Sequence, residues 1–353
     1  MFNFKIIKTI SKILNLRNLN ISILKYSKIE KNKIFITDMN NYIVIDYECD
    51  KWSGIIDPEI FGDTSDIKRS SIKIQDEKFP VFPDIENEIS VPINLLDTKK
   101  LQSFEKYTLK DEKRIVLNGI FFDPLGFMVC TDGKTLMVEK CNKNELENGF
   151  IFPSKSINLL KVISLINPII KASVGFINND MYLHILGKNY SVKIKLINET
   201  YPDYKKLIPK SNSTTTKVTL TEKNNSKLKE ILKLLSYTDE IVIFSGNRIE
   251  SINKDIDKYC FKNMNFTLSP KDLKIGFEIK NLLQVLNDFP IGGDISFQDS
   301  NYSPIKIQKN NLLCLVSPVK FSDEYFENYD KLNWIEIKNP INLTETKINN
   351  FFE

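Results

Sequence analysis

Alternating apolar residues predict two similar β-hairpins in the first half of the chain. Residues 34–36 and 42–45 are rich in Ile and Val and flank a polar Thr-Asp pair, which predicts a strand, a turn and a second strand. Residues 128–138 repeat this arrangement, again with Thr-Asp between two β-rich segments. Such self-similarity indicates that one structural unit recurs along the chain.

A second recurring unit is a short strand that leads into a helix. Residues 150–153 lead into residues 156–163, and residues 275–279 lead into residues 281–286, where apolar positions follow the helical period. Residues 55–61 have the composition of a shortened third copy. The chain therefore alternates strands with single helices.

Further helices are predicted at residues 95–107 and 223–235, from the same apolar spacing. Ser156 and Asn281 occupy positions where the N-caps of their helices are expected.

Two polar stretches, residues 82–88 and 211–216, read as linkers between periodic segments. They divide the chain into pieces of similar construction, each with two helices and several strands. Repeated α+β units of this kind fit a ring or an array better than an enzyme built around one pocket. The predicted domains are residues 1–85, 86–211 and 212–321, followed by an extension at 322–353.

Composition narrows the class of protein. The 353 residues suit two or three domains, and 42% hydrophobic with 27% charged residues is typical of a soluble globular protein. The formal charge of +4 is small, so a nucleic-acid partner would require the cations to be concentrated on one surface. The five scattered cysteines favour neither a disulfide framework nor a zinc site, and they suit a reducing cytoplasm. No apolar run approaches the length of a membrane span.

An ordered set of motifs points to one family. Residues 117–122, 131–136 and 201–209 resemble, in order and spacing, the second domain of the bacterial DNA polymerase III beta subunit, the DNA sliding clamp. Residues 276–277 and 315–321 resemble its third domain. The resemblance is good from about residue 82 to residue 321 and thin before that.

The resemblance implies an α+β fold of three repeated clamp domains, with helices facing a central hole and antiparallel sheets outside. It implies a homodimer that encircles double-stranded DNA and, as a replication processivity factor, tethers a DNA polymerase and other partners. Such a protein is not an enzyme and needs no cofactor. Because the chain has no nucleotide motif, loading would depend on a separate ATP-dependent clamp loader. The expected location is the cytoplasm, or the host cytoplasm if a virus encodes the chain.

Lysines concentrate on predicted helix faces. Lys5, Lys8 and Lys12 share one face of an N-terminal helix whose opposite face is rich in Ile. Flexible ammonium groups suit mobile contact with phosphates, although an ordinary solvated face has the same pattern. The acid-free first 29 residues also fit an organellar targeting peptide. With the placement that the resemblance implies, the DNA-binding candidates are Lys5, Lys8, Lys12, Arg17, Lys99, Lys106, Lys110, Lys113, Arg114, Lys155, Lys223 and Lys227.

The resemblance also implies a groove for a partner peptide with Leu and aromatic anchors, between the second and third domains. The alternative is that most of these residues are core. Thr135 replaces a common Arg, and Ser317 and Val319 replace common Met residues, so the groove should be shallower or more selective. The groove candidates are Leu117, Thr131, Gly133, Lys134, Thr135, Leu136, Pro202, Lys206, Leu207, Leu315, Val316, Ser317, Pro318, Val319 and Lys320.

Other chemistry is poorly supported. Gly133-Lys134-Thr135 resembles the end of a P-loop, but Met128 stands where the first glycine is required and the segment reads as a hairpin. His184 is the only histidine and has strand-like neighbours, so we interpret it as structural. We expect no catalytic residue and no metal site.

Two regions depart from the family. The first domain is short, lacking a hairpin whose edge contributes to the family's subunit interface. The extension ends in a sequence similar to the eukaryotic clamp-binding peptide, so Ile348, Phe351 and Phe352 are candidates for docking in the groove. The alternative is an amphipathic end packed on the third domain. Together these departures keep open a clamp-derived DNA-binding or regulatory protein that forms no closed ring.

Overall fold

The structure is a computed structural model, and its contacts divide the chain into two compact units. Unit 1 comprises Met1–Asp132 and Lys140–Tyr201, and unit 2 comprises Gly133–Glu139 and Pro202–Glu353. The three-domain boundaries expected from the sequence stay a prediction. The structure describes residues 5–47, 53–58, 71–72, 78–209, 214–253, 258–264, 266–289, 291–321, 326 and 332–337.

Five α-helices lie in the described residues. They are α1 (Lys5–Ile13), α2 (Thr98–Glu105), α3 (Ile157–Ser164), α4 (Glu222–Leu235) and α5 (Ile279–Asp288).

Capping residues explain where two of these helices begin. Helix α2 starts three residues later than expected because the Asp97 side chain accepts hydrogen bonds from the backbone N–H groups of Lys99 and Lys100. Thr221 caps α4 in the same way, through the N–H of Asn224. The predicted helix at residues 223–235 is therefore confirmed.

The side-chain caps expected for α3 and α5 are not observed. Ser156 does precede α3, but its side chain makes no capping hydrogen bond. The prediction for Asn281 is wrong, because α5 already begins at Ile279 and Glu278 is its N-cap residue. Asn281 lies in the first turn of α5, and its amide donates to the Glu278 carboxylate at 3.1 Å.

Unit 1 contains a nine-stranded antiparallel sheet. The hairpin predicted around residues 37–38 joins the strand Lys33–Thr37 to the strand Asn41–Asp46, and Asp38 closes its turn by accepting hydrogen bonds from the N–H groups of Asn40 and Asn41. In spatial order the strands are β5 (Ser71–Ile72), β4 (Gly54–Ile56), β1 (Ser27–Glu30), β2 (Lys33–Thr37), β3 (Asn41–Asp46), β13 (Tyr190–Lys195), β12 (Asp180–Gly187), β11 (Ile169–Ile177) and β6 (Glu86–Ser90).

Unit 1 also holds three strands of a second antiparallel ladder. Strand β7 pairs on one side with β10 and on the other with β8. These strands are β7 (Gly119–Asp123), β8 (Phe127–Thr131) and β10 (Phe150–Pro153).

Unit 2 contains one antiparallel ladder and one mixed sheet. The ladder runs β9 (Thr135–Lys140), β21 (Leu312–Val316), β20 (Ile305–Lys309), β19 (Asp294–Gln298) and β14 (Thr214–Thr219). The mixed sheet runs β18 (Lys274–Glu278), β15 (Ile241–Ser245), β16 (Arg248–Asn253), β17 (Lys258–Asn263) and β22 (Ile335–Glu336). The β17–β22 pair is parallel, and the other pairs in this sheet are antiparallel.

The helices pack in groups within each unit. Helix α3 contacts both α1 and α2, and α4 contacts α5. The apolar face of α1 is fully buried at Ile7 and Ile10, each of which stabilises the fold by roughly 1.5–3 kcal/mol relative to an exposed side chain. The predicted α+β fold class is confirmed.

Candidate functional site

The lysines predicted on α1 lie opposite its buried isoleucines. Lys5 and Lys12 are exposed and Lys8 is half-buried. Arg17 is also exposed and lies in a short 3₁₀ segment, Leu16–Asn18, after the helix. Helix α1 therefore carries three lysines on the side opposite its core, and Arg17 follows shortly after the helix ends.

The contacts of α3 bring further predicted cations into the same layer of helices. Lys155 is exposed immediately before α3, and Lys99 is exposed on α2. Since α3 contacts both α1 and α2, Lys99 and the α1 lysines lie on helices that pack against α3, and Lys155 directly precedes α3. Lys161, exposed on α3, belongs to the same layer and was missed because its helix was analysed for apolar period alone.

The other cations predicted near α2 are not on the helix. Lys106 is the C-cap residue of α2, and Lys110 follows it. Lys113 and Arg114 lie in the 3₁₀ segment Glu112–Leu117, where Arg114 approaches Asp111 at 3.8 Å. All four are exposed, so they line the exit from α2.

In unit 2, α4 repeats the pattern seen on α1. Lys223 and Lys227 are exposed, while Ile231, Leu232 and Leu235 are buried in the contact with α5 and the sheet. The amphipathic division of this helix matches the prediction. Exposure alone does not separate a phosphate-binding face from a solvated one.

Ten of the groove candidates belong to one continuous piece of unit 2. Strands β9 and β21 pair antiparallel, with Leu136 opposite Leu315 and Thr135 opposite Val316. These four side chains are buried, so they form the floor beneath any groove rather than its surface. The backbone N–H of Ser317 extends the ladder by donating to the Lys134 carbonyl at 2.8 Å. Gly133, with φ of +90°, makes the turn that starts β9.

The chain after β21 is held against β18 by Gly276. The backbone N–H of Val319 donates to the Gly276 carbonyl at 2.8 Å, and a Cβ added at Gly276 would stand 2.2 Å from the Phe321 ring. A side chain at position 276 would therefore displace Phe321. Pro318 and Val319 are half-buried, and Ser317 and Lys320 are exposed, so these four residues form the accessible part.

An ion pair lies beside β9 and β18. The Lys134 ammonium contacts the Glu278 carboxylate at the end of β18, and Lys280 lies 3.6 Å from the same carboxylate. Partial burial raises the pKa of Glu278, but the hydrogen bond and charge of Lys134 outweigh it and hold the pKa below its ordinary value of 4.5. Glu278 is thus ionised at neutral pH.

The remaining groove candidates are described separately. In unit 1, Leu117 is buried and Thr131 is half-buried at the end of β8. In unit 2, Pro202 and Lys206 are exposed, and Leu207 is 58% exposed at the end of a 3₁₀ turn. An apolar side chain with this exposure suits a contact surface better than a core position. The tail candidates Ile348, Phe351 and Phe352 lie outside the described residues.

His184 is part of a hydrogen-bonded network on the nine-stranded sheet. Its Nδ1 lies 3.1 Å from Glu88 Oε1 and its Nε2 lies 2.9 Å from Ser191 Oγ. Burial lowers the pKa of His184 from its ordinary value of 6.5, against the raising effect of Glu88. Ser191 pairs with β12 on one side and β3 on the other, so its strand has no spare N–H groups to form an oxyanion hole. The network fits a structural histidine.

Within the described residues, no group of three or more His, Cys, Asp or Glu side chains is placed to hold a metal ion. Across that same part of the chain, no helix is long and apolar enough to cross a membrane.

Solved structures that superpose on this chain include bacterial sliding clamps. The chain is 26% identical over 226 residues to the beta sliding clamp of Borreliella burgdorferi, an alignment that covers 59% of this chain and 56% of the relative. Among solved structures, the DNA polymerase sliding clamp from Caulobacter crescentus superposes with a TM-score of 0.69 at 16% identity, covering 90% of this chain and 97% of the other. The chain is similar in sequence and in fold to bacterial beta sliding clamps.

A second solved clamp carries a bound peptide. The Helicobacter pylori beta clamp bound to a DNA ligase peptide superposes with a TM-score of 0.63 at 18% identity, covering 90% of this chain and 97% of the other. At these identities the structural matches establish the clamp fold. The sequence alignment to the Borreliella burgdorferi clamp spans little more than half of that relative, and no protein-family model matches the chain.

Proposed function

We propose that this protein is a DNA sliding clamp, a processivity factor that encircles duplex DNA and tethers a DNA polymerase and other partners. It acts without catalysis, in the cytoplasm or the host cytoplasm, and an ATP-dependent clamp loader places it on DNA. The observation that carries the proposal is the clamp fold combined with helices α1, α3 and α4, whose buried faces are apolar and whose outer faces carry lysine.

Lysine suits the proposed task for a physical reason. Ammonium groups on long stems neutralise phosphates without fixing a base register, so a protein held by them is free to slide. Retention then comes from topology rather than affinity. Binding to linear DNA is expected to be weak and to fall steeply with salt, whereas protein loaded on closed circles is retained.

The test compares circular with linear DNA. Protein is loaded onto a nicked plasmid, separated from free protein on a sizing column, and measured again after a restriction enzyme has linearised the plasmid. Release on linearisation supports the clamp. Equal, salt-insensitive retention on linear and circular DNA would contradict it.

A charge-matched pair of variants tests the lysine surface. Replacing Lys5, Lys8 and Lys12 by Glu should abolish retention on circles. The same three-lysine exchange at Lys31, Lys33 and Lys188, exposed positions in the nine-stranded sheet and its turns, should leave it unchanged. Equal loss in both variants would show that net charge, and not the α1 face, governs binding.

The accessible residues beside β18 are proposed to hold the partner peptide. The peptide-bound Helicobacter pylori clamp supports this, as do the exposed Leu207 and half-buried Val319. A fluorescent peptide with Leu and aromatic anchors should bind the wild type and bind Val319→Asp at least about tenfold more weakly, since a carboxylate would enter an apolar contact. Val81→Asp, at a residue that is 88% exposed, is the control.

The tail is proposed to compete for the same groove through Ile348, Phe351 and Phe352. Deleting residues 340–353 should then raise the affinity for the fluorescent peptide. An unchanged affinity would remove the tail from the groove.

A second candidate is a clamp-derived DNA-binding or regulatory protein that forms no closed ring. One observation favours it: β22 lies along the outer edge of β17. A mass in solution that stays monomeric at every concentration would favour this candidate.

A further inference from the structure

Strand β17 has a place in the element order that recurs elsewhere in the fold. Strands β3, β9 and β17 are each the third strand after a helix, following α1, α2 and α4 respectively. By the internal repeat, the three strands are equivalent. Their outer partners can therefore be compared directly.

Two of these strands have long antiparallel partners. Strand β3 pairs with β13 over five residue pairs, and β9 pairs with β21 over five residue pairs. Strand β13 is itself the third strand after α3, and β21 is the third strand after α5. Each of these pairings, here called a join, therefore links the third strands of two different helix–strand groups.

In the described residues, the outer partner of strand β17 is different. It pairs with β22 over two residue pairs, and the strands are parallel. Parallel pairing is slightly less stable per residue than antiparallel pairing, and two pairs bury little backbone. The equivalent of a five-pair join is thus replaced by a short local strand.

Side chains compensate for the short pairing. The Trp334 ring makes edge contacts with Tyr259 and Phe261, with centroids 6.0 and 6.4 Å apart. The Asn263 amide donates to the Glu336 carboxylate at 2.7 Å, and the Lys262 ammonium contacts the Ile337 carbonyl. The aromatic contacts of Trp334 are among those that a substitution can remove.

We propose that residues 332–337 form an intrachain cover over an edge at which a second copy of this chain joins by strand addition. This inference rests on the proposed function. The second copy's joining strand is β5, which ends the spatial order of the nine-stranded sheet in the described residues. Cover and second copy compete for the backbone groups of β17, because a strand edge pairs with one neighbour only.

A reversible lock in the full chain tests the competition. Ile335 lies opposite the native Cys260, and adjacent strands are about 4.8 Å apart, a spacing that a disulfide spans. In Ile335→Cys, oxidation should lock the cover and weaken self-association at least about tenfold relative to the reduced protein. Mass photometry across a dilution series measures the effect, and Ile335→Ser under the same oxidant controls for the native cysteines.

A second full-chain variant releases the cover instead. Trp334→Ser with Ile337→Pro removes the aromatic contacts and the Ile337 N–H that donates to Phe261 O at 2.9 Å. It should strengthen self-association by about tenfold or more. Tyr302→Ser, which removes a 59% exposed aromatic ring elsewhere in unit 2, should match the wild type.

Equal masses of oxidised and reduced Ile335→Cys at every dilution, or no gain in the releasing variant, overturn the proposal. Circular dichroism of each variant ensures that folded proteins are compared. Retention on circular DNA separates this inference from the clamp function. If locking and releasing the cover change self-association while neither the wild type nor any variant is retained on circles, the clamp function fails and the cover proposal stands. If the wild type is retained but self-association does not change with the cover, the cover proposal fails and the clamp function stands.

Discussion

Two strand joins in unit 2 differ in length, in direction and in burial. The β9–β21 join has five antiparallel pairs and buries Leu136, Leu315 and Val316. The β17–β22 join has two parallel pairs, and Ile335 is 49% exposed. The first join resembles the interior of a domain, and the second resembles a detachable contact. Because the β9–β21 join has both more strand pairs and more buried side chains, we expect it to contribute more to stability than the β17–β22 join.

The largest expected effect comes from a substitution in the β9–β21 join. Met137 on β9 is 5% exposed and lies opposite the fully buried Cys314. Met137→Ala should lower the free energy of unfolding by about 2–4 kcal/mol, because it removes a buried side chain and leaves a cavity. Urea denaturation followed by circular dichroism measures the change.

The matched change in the weaker join is Ile335→Ala. Because Ile335 is half exposed, it should cost less than about 1 kcal/mol. Equal losses in the two variants would erase the distinction between the joins.

The next effect concerns Gly276 on β18, whose carbonyl accepts from the N–H of Val319 after β21. Gly276→Ala would place a methyl group 2.2 Å from Phe321, and Phe321 packs edge-on against Phe326 with centroids 5.4 Å apart. We expect a loss of about 1–3 kcal/mol from overpacking. The same denaturation experiment measures it.

A double-mutant cycle identifies the cause. In a Phe321→Ala background, the methyl group at position 276 finds space, so the second substitution should cost about 0.5 kcal/mol or less. An undiminished cost would place the strain in the backbone of β18 rather than in Phe321.

A smaller effect sharpens the view of the weaker join. Trp334→Ala should cost about 1 kcal/mol through lost aromatic contacts, and Trp334→Phe should cost less. Hydrogen exchange gives the finer readout. The Ile337 N–H should lose protection, while the Ser317 N–H beside the stronger join keeps it. Loss of protection at both amides would mean that the two joins open together.

Sequence patterns predicted most of the regular structure. The hairpin of β2 and β3 and helix α4 follow from apolar period and local capping, which depend on neighbours in the chain. The late start of α2 and the wrong cap at Asn281 show the limit of this approach. The start of α2 depends on the Asp97 cap, and α5 begins at Ile279, two residues before Asn281; the apolar period decides neither start.

The groove residues stay a prediction, and the sequence alone does not give the depth at which they lie. Apolar residues at positions 136, 315 and 316 do not distinguish a groove wall from a buried floor, because burial depends on strand pairing between residues far apart in sequence. Strand β22 had no sequence signal at all. It is two residues long and exists through its contacts with β17 and Trp334.

The smallest expected effect concerns the ion pair beside the β9–β21 join. Lys134 precedes β9 and pairs with Glu278, whose pKa is held below its ordinary value of 4.5. A carboxyl with a depressed folded-state pKa contributes stability that is present above 4.5 and is lost as the pH falls through the folded value. Lys134→Met removes the partner, so the variant should lose less stability than wild type between neutral pH and the acid side of that window. Because Lys134 is about half exposed, the contribution at neutral pH should be about 0.5 kcal/mol. Urea denaturation across the pH series gives both curves, and parallel curves would show that the ion pair does not stabilise the join.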